Sequence, residues 1–84
     1  PMTTHEETIY IVGVDRCGFT RKQNDEVAQH PDRDMFVYVN CEETPDHEMC
    51  FGVAAFPTHK KADGTVCAKG YHMDVDDLIT KCID

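Results

Sequence analysis

The sequence predicts an α/β domain, a four-stranded mixed sheet flanked by helices in the order β-α-β-α-β-β-α. Three observations predict it. Two nearly continuous runs of β-branched and aromatic residues, 8–14 and 35–39, read as strands buried on both faces. About twenty residues that include a helical stretch lie between them, which makes a βαβ unit with a parallel pair and a right-handed crossover. A hairpin signal and an amphipathic stripe close the chain.

Each element has its own signature. Residues 1–7 are polar and are expected to fray. The first strand, 8–14, gives way to a turn at 15–20. Phe19 to His30 contains good helix formers and ends at Pro31, which stops helices. Its apolar face is poor: Phe19, Val27 and Ala28, with Thr20 and Asn24 filling the stripe. After the strand at 35–39, Thr44 reads as an N-cap, Pro45 as the first helical residue and Asp46 and Glu48 as first-turn acids. A short helix to about Phe51 is expected, closed by Gly52. Residues 53–58 lead into a third strand, and Ala62-Asp63-Gly64-Thr65 is the hairpin turn before the return strand 66–69. The last helix spans 74–82, with Val75, Leu78, Ile79 and Ile83 on one stripe. Asp74, Asp76 and Asp77 stand in its first turn and Lys81 in its last, as the helix dipole prefers.

The 84 residues fit one domain, 1–84. Such a chain buries only about 60–65% of its unfolded surface, enough for one thin core. Sixteen acids against eight bases give a formal charge of −8, which argues against nucleic-acid and anionic-membrane partners. No apolar run approaches a membrane span, and no basic-then-apolar leader opens the chain. Five cysteines, at 17, 41, 50, 67 and 82, form neither a C-x-x-C pair nor a zinc-finger spacing. The rival reading is a disulfide-stapled secreted domain. The strong strand and helix patterns make staples less necessary, so a reducing, cytoplasmic setting is expected. Cys50, Cys67 and Cys82 then read as small core residues. The five histidines lack a metal spacing and read as surface residues, with no metal site expected. Tyr10 and Tyr38 read as strand aromatics of the core. A monomer is expected.

The segments I-Y-I-V-G-V-D-R-C-G-F-T, M-C-F-G-V-A-A-F-P-T and A-D-G-T-V-C-A-K-G-Y, followed by the closing helix, together make the chain resemble the thioredoxin-like superfamily in its minimal, glutaredoxin-sized form. The resemblance covers nearly everything from Thr8 onward. It implies a four-stranded mixed sheet with helices on both faces. It also implies a nucleophilic Cys17, Thr20 at the second motif position and a cis peptide bond before Pro57. C-G-F-T is similar to the C-G-F-S of monothiol glutaredoxins. The chain departs from the family pattern in several places. Position 20 holds no resolving cysteine. Arg16 stands where thioredoxins commonly carry tryptophan, and Ile11 where they carry a buried acid. The glutathione-binding segment of glutaredoxins is echoed only by Gly70, Asp74 and Asp77. Residues 58–61 are polar where the family has an apolar strand. Either that strand is short and frays early, or its lysine stems run along the sheet with their charges in water.

The chemistry expected at Cys17 is that of a thiolate. A helix N-terminus offers free N–H groups and a favourable dipole. Arg16, Arg21 and Lys22 add positive charge, and the last two sit at the end of the helix where cations do not help its stability. Thr20 can donate its hydroxyl proton to the sulfur. The thiolate would attack a disulfide and form a mixed disulfide. Arg16, Phe19, Phe56 and Thr58 are expected to contact substrate, with the Phe56 backbone pairing with an extended chain. The second thiol would come from glutathione or from within the chain, and Cys41, at the same sheet end, is the first internal candidate. The expected partner is therefore a disulfide-containing protein or glutathione; no cofactor is required, and glutathione is the one candidate. Two other readings stand beside this one. One is a carrier of a [2Fe–2S] cluster shared between two subunits with glutathione. The other is a redox-inactive binding module that kept the fold.

Overall fold

The first strand, β1 (Ile9–Gly13), occupies the middle of the sheet. A computed structural model of the chain describes residues 8–83, so the fraying expected of residues 1–7 lies outside the described part. The chain continues through α1 (Gly18–Ala28), β2 (Phe36–Asn40), β3 (Thr58–Lys61), β4 (Val66–Lys69) and α2 (Val75–Cys82). The strands make one four-stranded mixed sheet in the order β2-β1-β3-β4. β1 and β2 are parallel, with Ile9 opposite Phe36 and Gly13 opposite Asn40, as the βαβ spacing requires. β3 runs antiparallel to β1 and to β4.

Alternation along β1 sorts the core. Ile9 and Ile11 face the helices: Leu78 and Cys82 of α2 pack on Ile9, and Val27 of α1 and Val75 of α2 pack on Ile11. Val12 faces the other way and packs with Val39, Met49 and the half-buried Tyr10, Cys41, Cys50 and Val53. Both α-helices therefore lie on one face of the sheet, and the expected helix on the second face is absent among the described residues. A single 3₁₀ turn, Glu48–Cys50, takes its place. His47 caps it, its Nδ1 accepting from the Met49 amide at 3.1 Å. The cause is a disulfide. Cys41 and Cys50 are bonded, with their Cα atoms 5.9 Å apart. An α-helix begun at Pro45 would carry Cys50 roughly 8 Å along its axis and away from the end of β2.

A second disulfide joins Cys67 of β4 to Cys82 at the end of α2. The expectation of unpaired cysteines, drawn from patterned elements that make staples less necessary, is thereby corrected. Cys82 is indeed a core residue, 2% exposed, but it and its half-buried partner are bonded thiols. In a core this thin, closing loops with sequence separations of 9 and 15 stabilises the fold by about 3 kcal/mol each on chain-entropy grounds.

Other elements depart from expectation for identifiable reasons. β2 is an edge strand, so Val37 is exposed and Tyr38 only half-buried, with its hydroxyl donating to the Asp15 carboxylate at 2.8 Å. α1 ends at Ala28, where the Gln29 amide turns to the Glu26 carbonyl in a tightened last turn before Pro31. Its buried stripe is Thr20, Gln23 and Val27, while Phe19 and Ala28 face outward and Asn24 is half-buried. β3 does not fray, and its first lysine is not in water: Thr58, His59 and Lys60 are all buried. The Lys60 ammonium does not reach water but donates to the Phe51 carbonyl at 3.0 Å, tying β3 to the 3₁₀ segment on the second face. The hairpin turn and the final helix form as read. Gly64 takes φ +91°, and Asp74 caps α2 by accepting from the Asp77 amide at 3.2 Å.

Candidate functional site

The turn after β1 is short because the Cys17 amide bonds straight back to the Val14 carbonyl at 3.1 Å. That bond places Cys17 at the N-cap of α1, in extended conformation, with its carbonyl accepting from the Arg21 amide at 3.1 Å. The sulfur thus stands where a capping oxygen would, over the first-turn amides that have no partner within the helix. No acid lies in that first turn to compete with an anion.

α1 can approach β1 closely because of Gly13. A Cβ at that position would lie 2.5 Å from the Thr20 hydroxyl oxygen and 2.7 Å from its methyl. Thr20 is consequently 0% exposed, and its hydroxyl has no hydrogen-bond partner among the described residues. The Thr20 hydroxyl is the largest influence holding the Cys17 thiol below its ordinary 9.0, followed by the Thr20 amide. Partial burial pushes the other way, and the Phe19 amide and the Arg21 charge add smaller favourable effects.

From the opposite side comes the loop before β3. The Phe56–Pro57 bond is cis, and the Phe56 carbonyl oxygen lies 3.8 Å from the Cys17 sulfur, within reach of the thiol proton. Residues 17, 20, 56 and 57 are therefore brought together. Thr58 is not a surface contact: it is buried, and its hydroxyl donates to the Ala55 carbonyl at 2.7 Å, bracing the loop. Arg16 points away and pairs with Glu42. Arg21 lies over the turn and donates to the Asp15 carbonyl at 2.8 Å. The Lys22 ammonium sits 5.1 Å from the centre of the Tyr71 ring instead of at the sulfur. Phe19 is exposed and stacks on Tyr71 with ring centres 6.4 Å apart.

Cys41 is not available as an internal resolving thiol, because it is bonded to Cys50. Cys17 is the one free cysteine among the described residues. Gly70, Asp74 and Asp77 are engaged within the fold. Gly70 donates to the Pro57 carbonyl at 2.7 Å, Asp74 caps α2 and Asp77 pairs with Lys81 at 2.9 Å. Among the described residues no three His, Cys, Asp or Glu side chains converge on a metal position, and no helix is long and apolar enough to cross a membrane.

The reading of every histidine as a surface residue fails at His59, which is 0% exposed in β3. The fully buried Gln23 and His59, with the half-buried Gly70 and His72, form a hydrogen-bonded polar group that the sequence reading missed. The one signal available was the placement of Gln23 three residues after Thr20 and four before Val27, on a face otherwise buried.

Compared with family models, curated proteins and solved structures, the chain matches none of them.

Proposed function

We propose that this chain is a small thioredoxin- or glutaredoxin-like thiol–disulfide oxidoreductase of the monothiol type. The observation that carries the proposal is the placement of the one unpaired thiol. Cys17 caps α1, beside a buried hydroxyl without another partner, with the Phe56 carbonyl 3.8 Å from its sulfur. The parallel β1–β2 pair, the antiparallel β3 and β4 and the cis bond before Pro57 are what a thioredoxin-like topology requires, and they support that part of the reading.

In the first step the Cys17 thiolate attacks one sulfur of a disulfide. A Cys17–sulfur bond forms, the substrate S–S bond breaks, and the second substrate sulfur leaves as a thiolate. In the second step an external thiolate attacks the substrate sulfur of the mixed disulfide: a new disulfide forms between those two sulfurs, the Cys17–sulfur bond breaks, and Cys17 leaves as its anion. Glutathione is the small thiol proposed for that step. The four other cysteines are already oxidised in pairs and do not supply it. The Thr20 hydroxyl and the first-turn amides stabilise the anion before attack and after release. The backbone at Phe56 is the proposed docking edge for an extended substrate. A setting in which both disulfides persist is part of the proposal, in place of the reducing cytoplasm expected from the sequence.

The test is turnover. The chain is incubated with bis(2-hydroxyethyl) disulfide and glutathione, and oxidised glutathione is followed. The native chain should accelerate exchange and Cys17→Ser should not, with both disulfides intact by mass in each. Exchange at the uncatalysed rate with the native chain would end the proposal.

A further inference from the structure

His59 sits in the middle of β3, opposite Ile11 of β1 and Ala68 of β4, and is fully buried. Its Nε2 lies 3.1 Å from the Gly70 carbonyl oxygen. A carbonyl only accepts, so Nε2 carries a proton. His72 Nδ1 lies 3.0 Å from the same oxygen and donates for the same reason. The two rings meet edge to face, 5.6 Å between centres. The other His59 nitrogen, Nδ1, is buried with no partner among the described residues. A proton there would be a buried cation without a counter-charge, and burial pushes the His59 pKa down to about 4.

Gly70 links this pair to the thiol. It has φ +81°, the left-handed turn that aims its carbonyl inward while its amide donates to the Pro57 carbonyl at 2.7 Å. On the other side, the buried Gln23 of α1 holds His72 at both ends: the His72 amide donates to Oε1 at 2.7 Å, and Nε2 donates to the His72 carbonyl at 3.0 Å. The circuit runs from Cys17 along α1 to Gln23, His72, Gly70 and Pro57, and returns to the sulfur at the Phe56 carbonyl.

We propose that His59 is a positioning residue for the thiol site: its Nε2–H holds the Gly70 carbonyl, Gly70 holds Pro57, and the Phe56 carbonyl is thereby kept against the Cys17 sulfur. The assignment rests on the proposed exchange chemistry only for its effect on turnover. His72 is the titratable group that faces His59. Ile11, Ala68 and Gln23 carry no charge, and on the two helices of that face Glu26 is occupied by the Tyr71 hydroxyl and Asp76 by His30.

The test compares His59→Leu, which removes the donor, with His59→Gln, which keeps a donor at the place of Nε2. In His59→Leu the Gly70 amide should exchange its hydrogen roughly fivefold faster or more, as loss of one hydrogen bond implies. The pH midpoint of Cys17 alkylation should move down, because the carbonyl that accepts from the protonated thiol has moved off, while turnover falls roughly tenfold or more. His59→Gln should restore all three. A folded His59→Leu with the native alkylation midpoint and native Gly70 exchange overturns the assignment. If His59→Leu does not fold, the native chain is titrated by NMR from pH 7 to 4. The Gly70 amide and Phe56 carbonyl signals should move with the His59 ring, and site signals that stay flat while the ring titrates overturn it. Absent turnover in the native chain would refute the oxidoreductase reading alone, since Gly70 exchange and the alkylation midpoint still report the His59 link.

Discussion

Thr20→Val should make the protein more stable and its thiol less acidic, two changes that ordinarily have no reason to occur together. Valine keeps the shape of threonine and removes the hydroxyl. That hydroxyl is 0% exposed and lacks a partner among the described residues, a state that costs about 1–3 kcal/mol. Part of the gain is lost to crowding, since the Thr20 oxygen already rests where a Gly13 Cβ would be only 2.5 Å away and a methyl is larger. A net gain of about 1 kcal/mol remains at a pH where Cys17 is protonated, which raises Tm there by roughly 4–8 °C for a chain of this size. The same substitution removes the largest influence that lowers the Cys17 pKa. The pH profile of iodoacetamide labelling should therefore move up toward the ordinary 9.0. Thermal unfolding and labelling of the two proteins across pH are the assays. A variant of lower Tm, or one with the native labelling profile, would refute the reasoning that Thr20 is held unsatisfied for the sake of the sulfur.

Gly13→Ala should cost about 1–3 kcal/mol in urea unfolding by overpacking against Thr20, and should disturb Cys17 labelling as well because Thr20 must shift. His59 gives the fold an acid sensitivity: its folded pKa of about 4 lies below the unfolded 6.5, so the unfolded chain binds more protons between those values. Its contribution is complete above pH 6.5 and falls by about 3 kcal/mol as pH drops toward 4, a slope that His59→Gln should lack in parallel pH–stability curves. Replacing Cys67 and Cys82 together by alanine should lower stability by about 3 kcal/mol and leave Cys17 labelling unchanged in the folded protein, because that staple joins β4 to the far end of α2.

The parts of the fold legible in the sequence are those whose pattern is local. β1 and α2 announce themselves by a nearly continuous run of β-branched and aromatic residues and by the Val75, Leu78, Ile79 stripe with Asp74 before it. Cys17 could be placed because a turn cysteine sits where a strand ends and a helix begins, whereas Thr20, Phe56 and Pro57 were placed only by what the family resemblance implies. Illegible were the features that exist only through contacts between distant segments. Thr44 to Glu48 carries every local mark of a helix start, and the Cys41–Cys50 bond overrides them. Lys60 looks like a solvated residue until the Phe51 carbonyl is seen to receive its ammonium. Gln23 and His59 are polar residues at core positions, tolerated because Gly70 and His72, many residues away in sequence, meet their hydrogen-bonding groups. Cysteine pairing cannot be read from spacing alone, and Cys41, the thiol chosen as a resolving partner, is spent on the fold.

On the proposed reading the Cys17 sulfur is an anion-prone nucleophile because of its place at the start of α1. The direct measurement is the second-order rate of iodoacetamide labelling of Cys17 from pH 5 to 10, in the native protein and in urea with both disulfides intact. The native profile should rise at lower pH than the unfolded one and should label faster at neutral pH. Coincident profiles, or slower native labelling at neutral pH, would contradict the account.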